Sequence, residues 1–69
     1  MGELQQTFGR NVRAWRKSRG WSQDTLAEVV GIARTYVSNI ERGQRNVRLT
    51  TVERLAAGLG LSPLDLLVE

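Results

Sequence analysis

Arg34, Thr35, Ser38 and Asn39 stand one, three and one residue apart in the run IARTYVSNIERG, a spacing that gathers them on one side of a helix. A guanidinium offers paired donors, and hydroxyls and a carboxamide donate or accept, so this set has the chemistry needed to meet the edges of nucleic-acid bases. Val37 and Ile40, three apart, give the same segment an apolar inside. A solvated outer face of any small helical domain has a similar make-up, and spacing alone leaves both readings open. Other chemistries are easier to exclude. The 69 residues contain no Cys and no His, which removes disulfides, thiolate nucleophiles, a zinc finger and imidazole catalysis. The seven acids are scattered rather than paired, so general acid-base and nucleophilic catalysis lack their usual groups. Gly58 to Gly60 reads only GLG, no nucleotide loop without a preceding strand. No enzyme activity, metal, cofactor or small-molecule substrate is expected.

The elements that must position the polar face lie between Ser22 and Gly43. Leu26, Ala27 and Val30 form one helical face, and Gly31 suits the positive φ that ends a helix, with Ile32 to plug the corner. Two short helices about a tight turn make a helix-turn-helix pattern. Ser22 is a good N-cap, with Gln23 and Asp24 in the first turn, where an acid favours the positive helix end. Gln23 is placed either to donate to a phosphate oxygen or simply to face water.

Charge favours the nucleic-acid reading. Ten Lys and Arg against seven Asp and Glu give net +3. Arg10, Arg13, Arg16, Lys17 and Arg19 follow one another without an acid, and Arg42, Arg45 and Arg48 surround Gly43. Such asymmetry suits a polyanion, whose counterions are released as bases neutralise phosphates. The opening MGELQQTFGR lacks a basic segment followed by an apolar run, and no window approaches the roughly 18 to 20 apolar residues of a membrane span. A cytoplasmic chain without membrane contact is expected.

Around this centre, Leu4, Phe8, Val12 and Trp15 predict an amphipathic helix from Glu3 to about Arg19, closed by Gly20. Trp21 reads as a core plug. Arg16, four residues after Val12, and Glu41, beside the apolar face of its helix, are expected to pair as a structural clamp. Thr50, Thr51, Val52 and Glu53 match a capping box for a fourth helix with Val52, Leu55, Ala56 and Leu59 inside, where Gly58 permits a close approach. Ser62, Pro63 and Asp65 open a fifth. Leu61, Leu64, Leu66, Leu67 and Val68 are too many apolar residues for so short a helix to hide, and predict a twofold homodimer interface. The whole reads as all-α: one compact five-helix domain over residues 1–69, its last helix serving dimerisation.

The run RKSRGWSQDTLAEVVGIARTYVSNIERGQRNVRLTTVERLAAGLGLSPLDLL resembles the phage-repressor-type, lambda-repressor-like helix-turn-helix domain. Within it RTYVSNIERGQRNV is similar to the controller proteins of type II restriction-modification systems. The resemblance implies that the second helix of the pair enters the major groove of double-stranded operator DNA. Arg34 would then contact guanine, with Thr35 and Asn39 at further base edges and Arg45 at a base edge or in the minor groove. Gln23, Ser38 and Asn46 would hold phosphates, and Tyr36 would pack on the backbone or a deformable step. It also implies a homodimer, two dimers on tandem sites, autoregulation by activation at low dose and repression at high dose, and contact of Asp24 and Glu28 with RNA polymerase. Two departures stand out: Ala33 replaces a polar residue, and Arg48 replaces a Ser before the fourth helix, so that cap must come from Thr50 or be lost. A phage-type repressor or an antitoxin regulator is the alternative in the same class. A protein-interaction module on the same fold is the alternative outside it.

Overall fold

The computed structural model describes residues 3–44 and 46–69. α1 (Glu3–Ser18) turns Thr7, Phe8, Gly9, Val12 and Arg16 inward. This is not quite the stripe its apolar residues trace, for Leu4 is 61% and Trp15 37% exposed. The buried face is rotated because Gly9 lets α1 press against the last turn of the third helix, where a Cβ would come within 2.2 Å of the Ile40 carbonyl oxygen. Trp15 instead lies beneath the Arg19 guanidinium, 5.4 Å from its ring centre, a cation-π arrangement at the surface.

α2 (Gln23–Val30) begins at Ser22, whose side chain accepts from the Thr25 N–H, and ends at Gly31 in the left-handed conformation, φ 82. The Gly31 and Ile32 N–H groups both donate to the Ala27 carbonyl. The corner so formed delivers α3 (Arg34–Glu41), with Val37 and Ile40 fully inside. α2 and α3 are the expected helix-turn-helix.

α4 (Leu49–Leu59) starts earlier than the Thr50 capping box predicts. Arg48 is its N-cap and supplies no side-chain hydrogen bond, and Thr51 is buried on the inner face. Thr50 and Thr51 are thus inside the helix, and the cap lost with the missing Ser is not replaced. Gly58 behaves as expected: a Cβ there would sit 2.9 Å from Val30 Cγ2, so its absence sets the α2 to α4 distance.

The predicted fifth helix is a 3-10 turn, Pro63–Leu66, so the described residues hold four α-helices rather than five. Ser62 and Asp65 do form the expected capping box. Continuation is blocked because Asn11 Nδ2 donates to the carbonyls of Leu66 and Val68, at 2.9 and 2.8 Å. Those groups are turned towards α1 instead of along a helix axis. The same clamp drives Leu66 into the core with no exposed surface, where it joins Phe8, Val12, Leu26, Val37, Ile40, Leu55 and Leu59. Leu66 is therefore a core residue and not, as its neighbours suggested, part of a surface patch. Among the described residues no helix is long and apolar enough to cross a membrane.

Candidate nucleic-acid interface

With Val37 and Ile40 committed to the core, helical geometry leaves Arg34 and Thr35 fully on the outer side of α3 and Tyr36, Ser38 and Asn39 half-buried along its flanks. The Asn39 side-chain oxygen accepts from Arg42 Nη2 at 2.7 Å, which leaves its amino group as the outward donor. The Arg34 guanidinium does not hang free: its Nε lies 3.2 Å from Asp24 Oδ1, across the corner on α2. Asp24 and Arg34 side chains remain 76% and 55% exposed, so the pair sits on the surface the recognition reading requires.

Beneath this face is the clamp expected from the sequence. Arg16 Nε donates to Glu41 Oε2 at 2.7 Å, its Nη2 to Oε1 at 3.1 Å, and its Nη1 to the Trp21 carbonyl at 2.7 Å. A bidentate guanidinium-carboxylate pair whose third nitrogen also has an acceptor is the geometry in which burial of both charges is tolerated. The hydrogen bond to Glu41 holds the Arg16 pKa above its ordinary value against the opposing effect of burial. Gln23 Nε2 adds a donor to the same carboxylate, 3.1 Å from Oε1. The first turn of α2 is thereby tied to α3 twice, through Gln23 to Glu41 and through Asp24 to Arg34.

A second polar surface lies beyond Tyr36, whose hydroxyl faces Thr51 Oγ1 at 3.5 Å. Tyr36, Asn46, Arg48, Thr50, Thr51 and Arg54 line a polar cleft at the start of α4. Asn46 also accepts from Gln5 Nε2 through its side-chain oxygen. The sequence marks Arg48 only as part of the basic cluster and Thr50 only as a helix cap, and nothing in its periodicity marks Arg54. The absence of a side-chain cap before α4 leaves first-turn N–H groups beside two arginines, and that was the available signal. Arg45 lies outside the described residues. Of the basic run on and just after α1, Arg16 is consumed by the clamp and Arg19 donates to the Leu59 carbonyl, leaving Arg10, Arg13 and Lys17 exposed.

The apolar end is distributed differently from its composition. Leu64 and Val68 are 67% and 58% exposed, while Leu61 and Leu67 are half-buried against the core. Leu67 also borders an apolar groove with Leu4, Phe8, Val47, Leu49 and Val52. Glu28 is exposed on the outer side of α2. Among the described residues no group of acids is arranged to hold a metal ion.

Comparison with known proteins gives these surfaces a context. Residues 12–66 match the model of a family described as helix-turn-helix. The chain is 41% identical over 66 residues to a hypothetical transcription factor of Neisseria meningitidis serogroup B, covering 96% of this chain and 62% of that protein. It is 48% identical over 61 residues to the control protein C.BamHI of Bacillus amyloliquefaciens, covering 87% of this chain and 75% of the relative. The crystal structure of the restriction-modification controller protein C.AhdI from Aeromonas hydrophila superposes with a TM-score of 0.86 at 44% identity, covering 90% of this chain and 94% of that one.

Proposed function

The chain belongs to the helix-turn-helix family of transcription regulators, and from that membership we propose that it is a restriction-modification controller which binds operator DNA as a homodimer. The observation that carries the reading is the outer side of α3, where Arg34 and Thr35 are exposed opposite a fully buried Val37 and Ile40. In this reading α3 lies in the major groove. Arg34 donates to guanine O6 and N7, Thr35 contacts a neighbouring base by its hydroxyl or methyl, and Asn39 offers its amino group to an acceptor further along. Arg45 takes a further base edge or the minor groove. Gln23, Ser38, Tyr36 and Asn46 fix register on the sugar-phosphate backbone, joined by Arg48, Thr50 and Arg54 of the polar cleft.

Phosphate neutralisation supplies affinity common to all sequences, and the α3 contacts supply the difference between sequences. Control proteins are what the relatives are called, and regulation rather than catalysis is the role that follows. The dimer surface is the exposed apolar end, with Leu64 and Val68 at its centre and Leu61 and Leu67 beneath. The reading requires the dyad to set two copies of α3 about 34 Å apart, one helical turn of DNA. We extend the reading to two dimers on tandem sites, to Asp24 and Glu28 as the acidic surface offered to RNA polymerase, and to a cytoplasmic location.

Selection of bound duplexes from a random pool tests this reading. The expected product is an inverted repeat containing a guanine in each half-site, with half-site centres about one helical turn apart. Recovery of unrelated sequences at equal frequency would contradict it.

A further inference from the structure

We propose that Asp24 is a positioning residue for base reading, one that grips the Arg34 guanidinium by its Nε edge and aims its two terminal nitrogens outward at a guanine. The inference rests on the reading of Arg34 as a base contact. Arg34 is the first residue of α3, whose first turn contains no acid and whose N-cap, Ala33, makes no side-chain hydrogen bond. A cation at that end of a helix faces the positive pole of the backbone dipole, and a long flexible side chain so placed has no reason to hold one rotamer. Asp24 supplies the reason. It occupies the first turn of α2, the favourable end for an anion, and its Oδ1 reaches Arg34 Nε at 3.2 Å.

The choice of nitrogen matters. Five N–H bonds radiate from a planar guanidinium, and a carboxylate on Nε leaves the terminal Nη1 and Nη2 edge open. No other partner of Arg34 occurs among the described residues. Two parallel donors on that edge match the O6 and N7 acceptors of guanine. Stability alone is a weak reason for such a pair, because exposed ion pairs contribute little to folding. On DNA, moreover, a carboxylate beside the backbone-contacting Gln23 is repelled by phosphates of every sequence alike. Asp24 therefore lowers affinity for all duplexes while sharpening the preference for those with guanine at one position, a repulsive element serving specificity.

The test compares the full-length chain with its Asp24→Asn, Arg34→Ala and doubly substituted forms. Dissociation constants are measured over a salt series on three probes: the duplex recovered from the random pool, the same duplex with the half-site guanine replaced, and an unrelated duplex. Asp24→Asn is expected to bind the unrelated duplex more tightly, with a salt dependence steeper by up to about one released counterion. Its preference for the guanine-bearing duplex over the replaced one should fall by about twofold to fivefold. In the Arg34→Ala background, Asp24→Asn should leave that preference unaltered. If Arg34→Ala abolishes the preference and Asp24→Asn does not change it, the inference fails while the reading of Arg34 stands. An equal weakening on all three probes assigns Asp24 a merely structural role and likewise overturns it. Should Arg34→Ala keep the preference, the reading itself is wrong and the inference falls with it.

Discussion

Arg34 and Thr35, exposed on the outer side of α3, carry the functional claim, and Arg16 and Glu41 carry its support. Arg34→Ala should cost about 1–3 kcal/mol of discrimination at one base pair per half-site, because a bidentate contact has no substitute once the guanidinium is gone. Competition binding with single-base-pair variants of the selected duplex reads this directly. Below them, Glu41→Ala leaves Arg16 largely buried with two of its donors unpaired, and should destabilise the chain by about 3 kcal/mol in urea titration. The raised Arg16 pKa stabilises the fold below the ordinary arginine value and is lost only as pH rises through the folded one, so Arg16 adds no pH dependence near neutrality. The Arg16 to Glu41 clamp was legible in the sequence because both residues adjoin apolar periods that fix which way they face. The Asp24 to Arg34 pair was not. Both residues are exposed and lie on different helices, and nothing in the spacing of either helix registers a contact made across a corner.

At the level of elements, periodicity located the cores of the helices and composition misjudged their ends. The inner faces of α2, α3 and α4 follow directly from Leu26, Val30, Val37, Ile40, Leu55 and Leu59. The stripe of α1 was misread because what decides its rotation is Gly9, a residue with no side chain to show in a hydrophobic pattern. Gly9→Ala should cost about 3 kcal/mol, since its Cβ meets the backbone carbonyl of Ile40 and neither helix can yield without moving the other. Gly20→Ala is the contrasting case: φ is +71 but nothing lies within 4 Å, so only the left-handed conformation resists, about 1 kcal/mol. Thermal unfolding of the two variants should therefore rank them clearly. The capping box at Thr50 failed because Thr51 is drawn inward, which a four-residue motif cannot reveal. The terminal 3-10 turn was misjudged for a related reason: its carbonyls bond to Asn11, 55 and 57 positions away in sequence.

At the scale of the whole molecule, the apolar residues at the C-terminal end separate into a buried Leu66 and an exposed Leu64 and Val68, which the proposed dimer would cover. Leu66 completes the core, and Leu66→Ala should lower stability by about 3 kcal/mol in urea titration through the cavity it leaves. Leu64→Ser and Val68→Ser together should leave that stability nearly intact and shift the monomer-dimer equilibrium towards monomer in sedimentation, with a parallel loss of operator affinity. The central claim is that the outer side of α3 reads bases in the major groove, and guanine N7 methylation tests it most directly. On the selected duplex, interference footprinting should show one guanine per half-site whose methylation blocks binding of the native chain. Arg34→Ala, though weaker on every duplex, should be indifferent to methylation at those two positions. Binding that ignores methylation at every guanine, or an Arg34→Ala footprint identical to that of the native chain, would contradict the account.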